Sequence, residues 1–449
     1  MAYRLLRFVA RIALRWYYRS IEVTGREHIP ATGAVILAAN HNNALVDALI
    51  VASSIDREVR LTAKATLLDN PLTRVIVHTV GIVPLRRTAD EPLATGTVSG
   101  AARNTGAFEA IVGTLASGGV LLIFPEGLSH SAPELAPLKT GCARMALEAA
   151  SEGVESLRII PVGITFEDKG RPRTRVAVHV GTPIVVGHSA PSADQVAALT
   201  SALDAGLRAV TLNFPTIDDA ERVLHVSHTL IRVLADVRPL AEPQPPLGHT
   251  VQLARQIEDV RRRLPLLDAD LLERVQGFVA DLDRWRATAQ MLRAPLGDVA
   301  MPLSRASGAW FLVREVTIGL IAAPVAMWGR LNHWLPVRAA LVLARLTSRN
   351  PDEPAMHALV GGTGLVVASY TIAAGVAFHA LGWPWSVVYL ASLPVAARVD
   401  FWWSDRLRAA IRRARGYLKL RANPEQARWL VMEQQRLRTE SHSLTSVLT

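Results

Sequence analysis

Short apolar runs, separated by stretches with helical spacing, dominate residues 1–190 of the chain. The apolar runs predict strands at 21–25, 34–39, 59–63, 82–85, 120–124, 159–164 and 175–180. The stretches between them predict a helix beginning at Ala48 and helices at 70–79, 101–117 and 139–152. Because strands alternate with helices, we expect an α/β domain with a central mixed sheet flanked by helices.

The pattern changes beyond residue 190. Residues 192–300 have helical spacing, interrupted by a proline-rich loop at 238–248. Residues 316–328 are uncharged, but 13 residues are fewer than the roughly 20 that a bilayer core requires. Arg314 and Glu315 limit the extension of this segment. A re-entrant, in-plane or buried core helix is therefore as consistent with it as a membrane span.

A longer apolar segment follows at 354–397, which contains no Asp, Glu, Lys or Arg. Residues 358–381 are long enough for one span, 382–385 read as a turn with interfacial tryptophans, and 386–397 predict a second, shorter helix. Arginines flank both ends of the segment. The positive-inside rule then puts both ends in the cytosol and predicts a C-terminal membrane hairpin.

The first helix, predicted at 2–19, is strongly amphipathic. Its apolar residues include Leu5, Phe8 and Ile12, and arginines recur every three or four positions from Arg4 to Arg19. This pattern is typical of a helix that lies in a membrane interface with its arginines at the headgroups. An ordinary amphipathic helix on a soluble core is the alternative.

These patterns divide the chain into five regions. We expect an interfacial helix at 1–20, an α/β domain at 21–190, a helical region at 191–308, membrane-associated helices at 309–400 and a basic helical tail at 401–449.

Composition narrows the choice of partners. Half of the 449 residues are hydrophobic, the formal net charge is +10, and lysine occurs only at positions 64, 139, 169 and 419. A basic and apolar chain favours an anionic membrane or substrate over nucleic acid. The single cysteine, Cys142, excludes an intramolecular disulfide and fits a reducing compartment.

A His/Asp pair follows the strand predicted at 34–39. His41 lies just past the strand end, and a bent turn brings Asp47 back to its imidazole. A carboxylate on one ring nitrogen fixes the tautomer and makes the other nitrogen a general base for a hydroxyl. The alternative is a histidine at a strand end and an exposed aspartate on a helix.

Two further clusters follow strand ends. Arg86 and Arg87 end the strand at 82–85, where a guanidinium can bind a phosphate in bidentate fashion. Glu126 and Gly127 follow the strand at 120–124, where the carboxylate can hold a hydroxyl or orient a basic partner. A surface arginine and a turn acid are the respective alternatives. The apolar segment at 159–164 is consistent with an acyl-chain lining or a core strand.

Residues 40–47, 81–87, 124–130 and 160–163 resemble, in order and spacing, the four motifs of the glycerophospholipid acyltransferase family. Five residues separate the motif's His and Asp, one more than in the commonest form of the first motif. Branches that resemble the glycerol-3-phosphate and dihydroxyacetone-phosphate acyltransferases share this spacing. Residues 131–141, which contain Lys139, also resemble that branch.

The resemblance implies a membrane-bound acyltransferase. Its co-substrate would be acyl-CoA or acyl-carrier protein, its acceptor 1-acylglycerol 3-phosphate, and it would need no metal or other cofactor. Glycerol 3-phosphate, dihydroxyacetone phosphate or another lysophospholipid are alternative acceptors. The implied location is the cytoplasmic face of a membrane, taken as the bacterial inner membrane.

The resemblance also implies roles for individual residues. His41 oriented by Asp47 would be the base, and Arg87 with Arg86 would bind the acceptor phosphate. Substrate contacts are likewise implied for Glu126, Gly127 and Lys139. A lipid-binding scaffold and a small transporter are the competing classes, and the second is disfavoured because 309–397 offers few spans and no buried charge.

Overall fold

The computed structural model describes residues 2–64, 82–85, 105–188, 191–235, 245–348 and 353–448. The chain forms two compact units. The first comprises Met1–Ile217 with Ala344–Leu359, and the second comprises Asp218–Leu343 with Val360–Thr449.

An eight-stranded mixed sheet organises the first unit. Its strands are β1 (Ser20–Thr24), β2 (Val35–Ala39), β3 (Val59–Lys64), β4 (Val83–Leu85), β5 (Val120–Ile123), β6 (Arg158–Phe166), β7 (Arg175–Val180) and β8 (Ile184–Val185). The spatial order is β1-β7-β6-β2-β5-β3-β4, and β8 pairs with β6. The β6–β7 and β6–β8 pairs are antiparallel, and the other pairs are parallel.

Helices enclose the central strands. They are α1 (Ala2–Tyr17), α2 (Ala44–Ser54), α3 (Thr105–Ala116), α4 (Gly141–Ser151) and α5 (Ala193–Val210). Every residue of β2 and β5 is buried, which explains why these strands read as continuous apolar runs. Alternate residues of β2 and β5 pack with apolar residues of α3, α4 and α5 in one core. The predicted α/β fold is confirmed.

The predicted strands all appear, with ends shifted by one or two residues, whereas α2 differs. It begins at Ala44 rather than Ala48, so Asp47 lies in its first turn. Because the helix starts earlier, the carboxylate of Asp47 lies near the helix N-terminus, where the helix dipole favours a negative charge. The helix predicted at 70–79 lies outside the described residues.

Helix α1 turns two of its arginines towards the protein. Arg7 donates to the carbonyls of Asp56 and Arg57 at 3.4 Å, and Arg11 donates to Ser53 O at 3.1 Å. Ser53 lies in the last turn of α2, where cationic donors are favoured, and Asp56 and Arg57 lie in the segment that follows the helix. The expectation that the whole arginine row faces headgroups is therefore wrong for these two residues. The helix also ends at Tyr17, before Arg19.

The second unit is helical. Its elements are α6 (Ile217–Leu234), α7 (Leu247–Arg263), α8 (Ala269–Met291), α9 (Arg305–Thr347), α10 (Pro354–Leu381), α11 (Trp383–Ala422) and α12 (Pro424–Leu448), of which α6, α9 and α10 extend into the first unit. A core of Trp285, Leu282 and Leu430 joins α8 to α12, and the Trp285 indole donates to Leu430 O at 2.9 Å.

Two of the described helices, α9 and α10, are long and apolar enough to cross a membrane, judged by length and composition. In each helix, 6% of the apolar 18-residue stretch is buried. The span predicted at 358–381 lies in α10. The expectation of a short segment at 316–328 is wrong, because α9 continues through Arg314 and Glu315. Glu315 accepts from Arg314 and from Arg406 of α11, so these charges are paired.

The second helix of the predicted hairpin also differs. Gly382, with φ +85°, is the break between α10 and α11, and α11 then runs for 40 residues instead of ending at 397. The boundary expected at residue 400 therefore falls inside a helix. The turn expected at 382–385 shortens to this one glycine because the following Trp-Pro pair starts the helix.

Candidate active site

Four of the predicted site residues, His41, Asp47, Glu126 and Gly127, gather at the carboxyl ends of β2 and β5, which are adjacent parallel strands. His41 follows β2, and Glu126 follows β5. Ligand sites in open α/β sheets lie at this edge of the sheet. Adjacent strand ends thus bring together two motifs that are 85 residues apart in sequence.

His41 and Asp47 form the predicted contact. His41 Nδ1 lies 3.0 Å from Asp47 Oδ2, and the side chains of His41 and Asp47 are 14% and 0% exposed. Because a carboxylate only accepts hydrogen bonds, Nδ1 carries the proton of the neutral ring and Nε2 has the free lone pair. The His41 ring also stacks on Phe124, with centroids 4.0 Å apart. The geometry suits general-base chemistry at Nε2.

The Asp47 carboxylate is held by the turn that precedes it. Oδ2 also accepts from the backbone N–H groups of Asn42 at 2.8 Å and Asn43 at 2.7 Å. The second oxygen, Oδ1, is buried and has no hydrogen-bond partner among the described residues. The first turn of α2 supplies a favourable dipole for this charge. The carboxylate is therefore fixed before any substrate binds.

Glu126 is buried, and its carboxylate accepts hydrogen bonds from three protein groups. Oε1 accepts from His41 N at 2.8 Å, and Oε2 accepts from Ala136 N at 2.8 Å. His130 Nε2 makes a very short contact with Oε2. The carboxylate therefore connects the turn after β2 to the loop after β5.

Two further hydrogen bonds connect the same two segments. His130 N donates to His41 O at 3.1 Å, and Ala44 N donates to Ser129 Oγ at 3.2 Å. Ser129, which the sequence does not mark as a nucleophile, is thus an acceptor for the start of α2. Hydrogen bonds to the loop after β5 thus fix the turn that carries His41 at several positions.

Gly127 and Lys139 lie together beside Glu126. Gly127 has φ +74°, and a Cβ built there would lie 3.3 Å from Lys139 Cγ. Lys139 N donates to Pro125 O at 2.8 Å, and the Lys139 side chain is exposed. The structure therefore brings four predicted residues, His41, Asp47, Glu126 and Gly127, to one place with Lys139 at its edge. Arg86 and Arg87 lie outside the described residues.

Sequence reasoning missed three polar residues here. The Asn40 amide exchanges two hydrogen bonds with the backbone of Ile164, at 3.1 and 2.7 Å. Asn43 Nδ2 donates to the Tyr18 hydroxyl at 3.2 Å. Lys169 Nζ donates to Asn42 O at 3.1 Å and to Ser131 Oγ at 2.5 Å. The scarcity of lysine was the one signal that pointed to Lys169.

The protonation of the Tyr18 hydroxyl is affected by its surroundings, which include the Asp47 carboxylate. Burial, followed by the charges of Tyr17 and Asp47, raises the pKa of the Tyr18 hydroxyl. The hydroxyl therefore stays protonated beside the Asp47 carboxylate.

The apolar residues at 159–164 lie in β6 and are buried, with Ile159 in the main core. This agrees with the core-strand alternative. No group of three or more His, Cys, Asp or Glu side chains is arranged to hold a metal within the part of the chain that the structure describes.

Residues 20–165 match the family model described as Acyltransferase. This range contains His41, Asp47 and Glu126. The segment is therefore an acyltransferase-family domain, and the family predicted from the four motifs is confirmed.

Several curated relatives share part of the chain. Glycerol-3-phosphate O-acyltransferase 2 of Saccharomyces cerevisiae is 33% identical over 122 residues, which are 26% of this chain and 16% of that protein. Glycerol-3-phosphate O-acyltransferase 1 of the same yeast is 25% identical over 293 residues, 62% of this chain and 38% of that protein. The chain thus matches well under half the length of either relative.

The chain is also similar to solved structures. The 1-acyl-sn-glycerophosphate (LPA) acyltransferase PlsC of Thermotoga maritima aligns with a TM-score of 0.34 and 19% identity, covering 46% of this chain and 78% of that one.

Proposed function

We propose that this protein transfers a fatty acyl group from a thioester to a hydroxyl of a glycerol-phosphate acceptor at a membrane surface. The observation that carries the proposal is the His41–Asp47 pair, which lies at a strand end within an acyltransferase-family domain. Acyl-CoA or acyl-carrier protein is the acyl donor, and no further cofactor is required.

His41 Nε2 takes the proton of the acceptor hydroxyl while the hydroxyl oxygen attacks the thioester carbonyl. The tetrahedral intermediate then expels the thiolate, which takes the proton from His41. Asp47 stabilises the imidazolium that forms between the two steps. General-base help of this kind contributes about 10²- to 10⁴-fold to the rate.

The acceptor must carry a phosphate in this scheme. Arg87, with Arg86 beside it, binds that phosphate, as the resemblance implies, and Lys139 adds a cation at the site edge. The names of the yeast relatives favour glycerol 3-phosphate as acceptor. The 1-acylglycerol 3-phosphate expected from the sequence remains the second candidate.

Attachment to a lipid surface fits the exposed groups of α1. Leu5, Phe8 and Ile12 are exposed in one row, and Arg4 and Arg15 are exposed beside it. An apolar row bordered by arginines suits the headgroup region of an anionic membrane. The cytoplasmic face is proposed because arginines flank the apolar segment; the bacterial inner membrane stays a prediction.

The test uses the full chain in liposomes with labelled acyl-CoA or acyl-carrier protein. Acceptors are glycerol 3-phosphate, dihydroxyacetone phosphate and 1-acylglycerol 3-phosphate. We expect acylation of one of them, and a loss of at least about 100-fold in His41→Gln. His188→Gln, an exposed histidine of the same unit, is the matched control. No acylation by the wild type, or full activity in His41→Gln, would overturn the proposal.

A further inference from the structure

We propose that Glu126 is a positioning residue that fixes the backbone of His41, rather than a group that binds the acceptor. This inference rests on the proposed function, because it concerns how the base of that reaction is held. It replaces the substrate contact that the resemblance implies for Glu126.

The carboxylate is already occupied by protein donors. The Glu126 side chain is 0% exposed. Its two oxygens accept from the N–H groups of His41 and Ala136, both at 2.8 Å, and from His130. Because no part of the side chain is exposed, an acceptor hydroxyl could reach the carboxylate only by displacing a group that surrounds it. A displaced donor would be left buried without a partner, which is unfavourable.

His130 is held in the tautomer that suits this role. Ala132 N donates to His130 Nδ1 at 3.2 Å, so Nδ1 is an acceptor. In the neutral ring the proton is then on Nε2, which donates to Glu126 Oε2. Every contact of the carboxylate is therefore a donor–acceptor match.

The consequence is that both backbone groups of His41 are fixed. Its N–H donates to Glu126, and its carbonyl accepts from His130 N at 3.1 Å. The ring is held separately by Asp47 and Phe124. A base must be placed accurately against its substrate, and a shift of about 1 Å costs roughly 100-fold in rate.

The test compares Glu126→Gln with Glu134→Gln in the full chain. Glutamine has one acceptor oxygen, so its amide group opposes a backbone N–H in this site. Glu134 lies in the same loop, is exposed and pairs with Arg208, so its variant controls for loop charge. For Glu126→Gln we expect kcat to fall about 100-fold while KM for the acceptor stays within about twofold.

His130→Asn tests the same pair if Glu126→Gln does not fold. It removes one of three donors and leaves both backbone bonds, so we expect a smaller fall in kcat, again without a change in KM. A rise in KM with unchanged kcat in either variant would identify a substrate-binding role and overturn the proposal.

A readout without turnover separates this inference from the proposed function. In protein labelled with ¹⁵N-histidine, the amide signal of His41 is identified by its loss in His41→Gln. We expect this signal to move in Glu126→Gln and to stay in Glu134→Gln. If the wild type transfers no acyl group, the proposed function fails, while the signal still decides whether Glu126 holds His41. An unmoved signal would overturn the inference.

Discussion

The hydroxyl of Tyr18 accepts a hydrogen bond of 3.2 Å from the side-chain amide of Asn43. Tyr18 is the first residue after α1 and is 1% exposed, and Asn43 N donates to Asp47 Oδ2 at 2.7 Å. Two side chains thus link the end of the amphipathic helix to the carboxylate that orients His41. The position of α1 and the geometry of the site are connected through buried hydrogen bonds.

Replacing Tyr18 with phenylalanine tests this link. Within the described part of the chain, the variant leaves the buried Asn43 Nδ2 with a single acceptor, Lys169 O at 3.5 Å. We expect the free energy of unfolding to fall by about 1–3 kcal/mol, measured by denaturant titration in detergent. Tyr17→Phe is the control, because among the described residues the Tyr17 hydroxyl has a single, long contact, 3.4 Å to Gly170 O. Equal losses in the two variants would contradict the link.

The strands and the His41–Asp47 contact were predictable because they depend on local pattern. β2 is buried on both faces, so its apolar run stands out, and the turn after it brings Asp47 back over only six positions. The contacts that brace the turn were not predictable. Glu126 forms a hydrogen bond with a residue 85 positions away, and Asn40 with a residue 124 positions away. The order of strands in the sheet determines which of these distant residues meet.

In the second unit, the prediction from sequence failed for a different reason. Glu315 reads in sequence as a charge that ends an apolar segment. In the fold it pairs with Arg406, which is 91 residues further on, so α9 continues past it. A charge that is neutralised by a distant partner gives no local sign of its pairing.

Gly127 should tolerate alanine poorly. Its φ of +74° lies in the left-handed region, and the added Cβ would lie 3.3 Å from Lys139 Cγ. We expect Gly127→Ala to lower the free energy of unfolding by about 1 kcal/mol, measured by denaturant titration.

Gly113 provides the matched control within α3. A Cβ there meets nothing within 4 Å, so Gly113→Ala should raise stability by about 0.5–1 kcal/mol. Stabilisation by both substitutions would show that Gly127 does not need its positive φ.

Cys142 should be unreactive in the native protein. Burial raises the pKa of its thiol from 9.0 to about 12. We expect iodoacetamide to modify it at pH 8.5 only after denaturation, as followed by mass spectrometry, because the thiolate is the nucleophile. Rapid modification of the native protein would contradict this.

The same shift has a consequence for stability. The unfolded chain releases the thiol proton more readily, so the contribution of Cys142 to stability is complete below pH 9 and is lost as the pH rises towards 12. In Cys142→Ala the free energy of unfolding should decline less steeply over this range.

Gly329 marks a close crossing of α9 and α11. A Cβ at this position would lie 2.2 Å from the backbone oxygen of Ala396, so the two helices must separate to admit it. Arg330, the next residue, pairs with Asp400 at 2.9 Å, and separation would stretch that ion pair as well. Small residues permit such close contact between apolar helices.

We expect Gly329→Ala to lower the free energy of unfolding in detergent by about 1–3 kcal/mol. Gly364→Ala in α10 is the control, because its Cβ meets nothing within 4 Å. If the two alanine variants unfold alike, α9 and α11 do not pack through Gly329.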